Sequence, residues 1–162
     1  MKKQNLSHFN IKPTFKNNKV RIGILVSEWN EPITNALKEG ALAFLKDAGI
    51  KENQIYLHSV PGSYELPFAA AELAISEIDV DAIICLGCII QGETRHFEFI
   101  AQAVANGLIR VSLDFGIPVI FGVLTCDTME QAQERAGGSH GNKGVEAACS
   151  CLKMLDFMKN IG

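Results

Sequence analysis

Ala82-Ile83-Ile84-Cys85-Leu86-Gly87-Cys88-Ile89-Ile90 carries no charged side chain, and it breaks at once into Gln91-Gly92-Glu93-Thr94-Arg95-His96. An apolar run of this length, stopped by polar residues and glycine, reads as a β-strand covered on both faces. Val20-Arg21-Ile22-Gly23-Ile24-Leu25-Val26 has the same character. Residues 55–60 and 119–125 supply two more expected strands. The segments between them are helical in pattern. Asn30 is placed to cap a helix and Pro32 suits its first turn. Ile33, Ala36, Leu37, Gly40, Ala41, Phe44 and Ala48 then recur at helical spacing until Gly49, which can end the helix in the left-handed region. Residues 66–76 and 97–111 are helical in the same way, with Thr94 able to cap the second. Thr128 with Gln131 forms a capping box for a short helix to Arg135. Val145, Ala148, Cys149, Leu152 and Leu155 mark a last helix. Strand and helix in alternation predict a three-layer α/β/α sandwich around a four-stranded parallel sheet, with strands apolar on both faces.

Outward from this frame, residues 1–18 form an N-terminal arm, polar but dotted with Leu6, Phe9, Ile11 and Phe15, and residues 19–162 form one domain. Net charge is −3, so no basic face for nucleic acid is expected. No apolar run reaches the ~18 residues of a membrane span. Met1-Lys2-Lys3-Gln4-Asn5 is followed by no apolar stretch, so no secretory signal is expected. Five cysteines, an odd number, suit free thiols in a reducing cytoplasm. Cys85 and Cys88 have Cys-x-x-Cys spacing, but inside a strand an odd separation puts them on opposite faces, unsuited to one metal or one redox pair.

In parallel α/β sheets ligands lie outside the carboxyl ends of the strands, so chemistry is expected in the loops there. The first holds Trp29, either a flat face for a planar ligand or a packing residue that seals a helix end. The second is Val60-Pro61-Gly62-Ser63-Tyr64-Glu65-Leu66-Pro67, where Glu65 could meet a ligand or only favour a helix dipole. The third leads from the long strand through Gly92 and Thr94 into a helix whose free N–H groups suit an anion. His96 stands in that first turn, where an imidazole suits proton transfer, although a lone histidine is often structural. A further segment, Glu134-Arg135-Ala136-Gly137-Gly138-Ser139-His140-Gly141-Asn142-Lys143-Gly144, reads as a phosphate cradle or as a flexible turn between helices. It is not a Walker loop, because Asn142 precedes the lysine and Gly144 replaces the magnesium-binding hydroxyl.

Taken together, residues 60–67, 87–96, 118–125, 134–137 and 141–144 resemble the 6,7-dimethyl-8-ribityllumazine synthase family, from about Lys19 to Met158 and in the family's order. The resemblance implies a flavodoxin-like sheet and the penultimate step of riboflavin synthesis. There, 5-amino-6-(D-ribitylamino)uracil condenses with 3,4-dihydroxy-2-butanone 4-phosphate, losing phosphate and water without metal or organic cofactor. It also implies roles. Trp29 would stack on the pyrimidine, and Ser63, Tyr64 and Glu65 would hold the ribityl chain. Cys88, Ile89 and Ile90 would line the ring slot by main chain. Glu93 and Thr94 would meet the phosphate, with Arg135 clamping it and Lys143 nearby. His96 would transfer protons, and Phe121 would close the pocket from a neighbouring subunit. Gln91, where many members have arginine, departs from the pattern, as do Cys88 and Glu93.

The resemblance further implies a homopentamer, in some members stacked twelvefold into a sixty-chain icosahedral shell, with a possible riboflavin synthase association. Trp29 and His96 would then come from one chain, and Phe121 and Arg135 from the next. The arm would add an edge strand to the neighbour's sheet. Two other classes compete: a flavodoxin-like electron carrier, and a non-catalytic flavin- or lumazine-binding cage scaffold.

Overall fold

A computed structural model describes residues 19–162. The expected arm, residues 1–18, lies outside the described residues. Four parallel strands form the main sheet: β1 (Ile22–Ser27), β2 (Ile55–Val60), β3 (Ala82–Ile90) and β4 (Val119–Cys126), in the order β2-β1-β3-β4. This is the flavodoxin-like order, and its topological switch point lies between β1 and β3.

The helices are α1 (Glu31–Asp47), α2 (Leu66–Ala74), α3 (His96–Phe115), α4 (Met129–Arg135) and α5 (Lys143–Ile161). Strand alternation divides the interior into two cores. Ile22, Ile24 and Val26 of β1 join Ile84, Leu86 and Cys88 of β3 against Leu37 and Leu45 of α1, Ala132 of α4, and Cys151 and Leu152 of α5. On the other face Leu25, Ile83 and Cys85 meet Leu66 and Leu73 of α2 and Val104 and Leu108 of α3. Cys85 and Cys88 thus sit on opposite faces, as their spacing requires.

Several local expectations are corrected. β2 is not covered on both faces: it is an edge strand, like β4, and its middle residues Leu57, His58 and Ser59 are exposed. Asn30 does stand at the cap position of α1, but in the left-handed region, and its side chain makes no cap bond. It donates instead to the Cys88 carbonyl at 3.0 Å, tying β1's exit to β3. Helix α3 begins at His96 and runs to Phe115; Arg95, not Thr94, is its cap residue, although Thr94 Oγ1 accepts from the His96 N–H at 3.4 Å.

The glycine-rich segment is not a loose turn. It folds into a two-stranded antiparallel hairpin, β5 (Ala136–Gly138) and β6 (Gly141–Asn142). Asn142 holds it in place. Its Nδ2 donates to the Ala36 carbonyl at 2.9 Å and the Ala136 carbonyl at 3.3 Å, while its Oδ1 accepts from the N–H groups of Gly144 and Val145 and caps α5. Beside it Gly144 lets α5 and α1 touch: a Cβ there would lie 1.8 Å from the Leu37 carbonyl oxygen.

Candidate active site

The exits of β1, β2 and β3 converge. Glu28 N–H donates to the Val60 carbonyl at 2.8 Å and Trp29 N–H to the Pro61 carbonyl at 3.1 Å, so the first two loops are stitched together. The Trp29 indole lies on Gly62, where a Cβ would come within 2.7 Å of its Cε3. Trp29 is still 66% exposed. The ring is braced against backbone at Gly62 and is otherwise open, which suits it to stack on a planar ligand. Glu65 stands beside it, its Oε2 accepting from the Gly62 N–H at 2.9 Å. Ser63 is buried between this loop and Gly87, and Tyr64 is exposed next to it.

The strand register opens a slot here. β1 pairs with β3 only as far as Val26↔Leu86, whereas β3 pairs with β4 on to Ile90↔Cys126. Residues Cys88, Ile89 and Ile90 therefore project past β1 with one backbone edge unpaired by strand, apart from the Cys88 carbonyl that Asn30 takes. An unpaired edge of N–H and C=O groups can read a heterocyclic ring by hydrogen bonds. After β3, the Gln91 carboxamide donates to the carbonyls of Gly92 at 2.9 Å and Thr94 at 3.2 Å. In a trans peptide the N–H opposes the preceding C=O, so the N–H groups of Glu93 and Arg95 are turned away from Gln91. This brace shapes the loop that carries Glu93 and Thr94 to the start of α3, where His96 is exposed.

The remaining predicted residues lie elsewhere in the chain. Phe121 pairs with Cys85, hence level with Leu25 of β1. Trp29 is four residues further along and two strands away, about 13 Å along and about 10 Å across the sheet. Arg135 ends α4, in the layer of α1 and α5, whereas α3 with His96 belongs to the opposite layer. Its Nη1 donates to the Gln131 carbonyl at 3.0 Å, and its charge acts on the Cys126 thiol at the end of β4. Lys143, the first residue of α5, pairs with Glu146 at 3.1 Å. One chain thus gathers Trp29, Ser63, Tyr64, Glu65, Cys88, Ile89, Ile90, Glu93, Thr94 and His96 around the switch point, and leaves Phe121, Arg135 and Lys143 apart from them. At the hairpin's end, the Ser139 hydroxyl and N–H hold the Glu134 carboxyl below its usual range. Asn30, Gln91 and Ser27 were missed as site residues. From sequence Asn30 reads as a local cap, Gln91 only as a departure from the family pattern, and Ser27 only as the first residue of the loop after the strand.

The cysteines give no sign of chemistry. Burial pushes the Cys88 and Cys151 thiols up to about 12, and Cys85 higher still. Cys126 is raised by burial and partly drawn back by Arg135. In the native protein at pH 8, Cys85, Cys88 and Cys151 are expected to react with a chromogenic disulfide reagent on the order of a thousandfold more slowly than in guanidinium chloride. Equal rates in the two solvents would contradict their burial.

A three-layer sandwich with this strand order, a ring platform and a polar cradle at its switch point defines a small-molecule-binding α/β enzyme. Residues 19–159 match the family model for 6,7-dimethyl-8-ribityllumazine synthase. Proteins of that name are similar over most of the chain. The one from Cytophaga hutchinsonii is 58% identical over 133 residues, 82% of this chain and 83% of its own. Those from Porphyromonas gingivalis and Bacteroides fragilis are 47% and 48% identical, covering 93% and 86% of this chain and 92% and 96% of theirs. The chain belongs to the 6,7-dimethyl-8-ribityllumazine synthase family; it is a transferase of riboflavin biosynthesis, and neither competing class is favoured. Among the described residues no helix is long and apolar enough to cross a membrane.

Proposed function

We propose that this chain condenses 5-amino-6-(D-ribitylamino)uracil with 3,4-dihydroxy-2-butanone 4-phosphate at the β1–β3 switch point, in a site completed by a neighbouring copy. The observation that carries this reading is Trp29 lying open-faced over Gly62, beside Glu65 and the unpaired edge of β3. The pyrimidine stacks on Trp29 and meets the main chain of Cys88, Ile89 and Ile90. The ribityl hydroxyls meet Ser63, Tyr64 and Glu65. The butanone phosphate sits at the loop of Glu93 and Thr94, clamped by Arg135 with Lys143 nearby, and Phe121 closes the ring pocket.

The reaction then needs orientation and proton movement. The pyrimidine's 5-amino group adds to the ketone carbon, and water leaves to give an imine. Phosphate is eliminated to leave an enol, which tautomerises to a ketone; the ribitylamino nitrogen adds to that carbonyl, and a second water leaves as the ring closes. Holding two reactants in register removes about 7–11 kcal/mol of barrier in favourable cases. His96, at the start of α3 beside the phosphate loop, takes and returns the protons, a contribution of roughly 10²–10⁴-fold. His96→Ala is expected to lower kcat about tenfold to a hundredfold and to raise KM less, because positioning survives. Steady-state kinetics with a wild-type kcat would remove His96 from the mechanism.

The assembly we read is a homopentamer in the cytoplasm. Trp29 and His96 come from one chain, and Phe121 and Arg135 from the next. The separation of these groups in one chain and the exposed Leu57, Phe99, Ile109 and Leu113 support it. The short hairpin, with no residues inserted, supports closure of twelve pentamers into a shell. Mixing the protein with both substrates should give lumazine fluorescence, and light scattering gives the number of chains. Full activity in a diluted monomer would defeat the shared site.

A further inference from the structure

The floor of the site holds two buried hydroxyls that no protein group satisfies. Ser27, the last residue of β1, is 1% exposed, and Ser63 is 5% exposed. Among the described residues neither Oγ has a hydrogen-bond partner. Both face the same place: a Cβ on Gly87 would lie 2.5 Å from Ser63 Oγ and 3.3 Å from Ser27 Oγ. Gly87, on the strand that borders the switch point, has no side chain there, and the two hydroxyls pack about its bare backbone together with Leu66 Cδ1, which would lie 3.2 Å from such a Cβ.

A buried hydroxyl without a partner is destabilising, and native interiors pair such groups with protein or with ordered water. Two of them converging on one bare backbone position is the arrangement that a single small oxygen resolves, donating to one and accepting from the other. We propose that Ser27 and Ser63 share one buried water held against Gly87, and that Ser27 acts through it to aim the Ser63 hydroxyl at the ligand's polyol chain. The second half rests on the placement of Ser63 given above. Ser27 is then a positioning residue: it sets the rotamer and the donor–acceptor sense of a hydroxyl that, on that placement, turns from its buried position toward the ligand. The neighbouring strand edge stays paired through Val26↔Leu86, so the effect is confined to the hydroxyl pair.

The test uses the assembled protein and the variants Ser27→Ala, Ser63→Ala and their combination. A crystal structure without substrate should show one water about 2.5–3.0 Å from both Oγ atoms in the wild type and none there in Ser27→Ala. A direct Ser27–Ser63 hydrogen bond with no water would overturn the proposal. If the water is shared, each single variant strands a partner and lowers Tm by about 2–4 °C, and the double variant loses clearly less than the sum. Unpartnered hydroxyls predict the opposite: Ser27→Ala leaves Tm unchanged or raises it, and the losses add. Ser27→Ala should raise KM for the pyrimidine roughly threefold to tenfold while kcat and KM for the butanone phosphate stay within about twofold. A wild-type pyrimidine KM in Ser27→Ala, when Ser63→Ala raises it, would deny Ser27 its positioning role. If Ser63→Ala itself leaves that KM unchanged, the ribityl placement falls, and the shared water is judged by the Tm cycle and the crystal structure alone.

Discussion

His96→Ala and Arg135→Ala chains, each severely impaired alone, are expected to regain about a quarter of wild-type activity when unfolded, mixed in equal amounts and refolded together. The fraction follows from geometry. Arg135 ends α4 in the layer of α1 and α5, while His96 opens α3 in the other layer. If each site takes His96 from one chain and Arg135 from the next around a ring, a random mixture gives one site in about four both groups intact. A site drawn from one chain would gain nothing, because every chain lacks one group. Arg135→Ala by itself should raise KM for the butanone phosphate about a hundredfold, the scale of a lost charge-assisted pair of bonds, and leave pyrimidine binding by calorimetry nearly unchanged. Arg135→Lys should recover only part, since lysine lacks the planar fork. Equal losses for both substrates, or no recovery on mixing, would make Arg135 a structural residue.

Gly144→Ala is expected to be the most damaging small substitution for folding. Its Cβ would lie 1.8 Å from the Leu37 carbonyl oxygen and 2.6 Å from the carbon behind it. Both are backbone atoms of α1, so no side chain can turn aside. Relief requires α5 and α1 to separate by more than about 1 Å, which loosens the contact of Leu37 with the α5 core and the four bonds of Asn142. A loss of about 3 kcal/mol or more is expected, on the order of 10 °C in Tm. Far-UV circular dichroism melting checks it; a midpoint within about 2 °C of wild type would mean that the helices yield easily.

The parts of the fold legible in the sequence are those whose burial does not depend on neighbours in the sheet. β1 and β3 are central, so an apolar run sufficed to find them. β2 mixes Tyr56, His58 and Ser59 with its apolar residues, and its place at an edge follows from strand order, which no window of residues records. The hairpin escaped because Ala136–Gly138 and Gly141–Asn142 have no alternating apolar pattern and depend on Asn142 reaching Ala36, 106 residues away. Asn30 misled for the same reason: a cap is the local option, and the bond it makes crosses 58 residues. In the site, the loops were legible because parallel sheets place chemistry at strand ends. The unpaired edge of Cys88–Ile90 was visible only once the register showed where β1 stops.

If the site is divided between two chains as proposed, the division also bears on mass action. A ligand that must touch Trp29 on one chain and Arg135 on another binds only where the two chains meet, so each occupied site adds its own free energy to that contact. At a hundred times its Kd, a ligand confined to the joined form strengthens each junction by about 2.7 kcal/mol. Reciprocity then makes affinity for the ligand rise with protein concentration. An inhibitor spanning the same groups would act as a glue, holding rings together at dilutions where the empty protein falls apart.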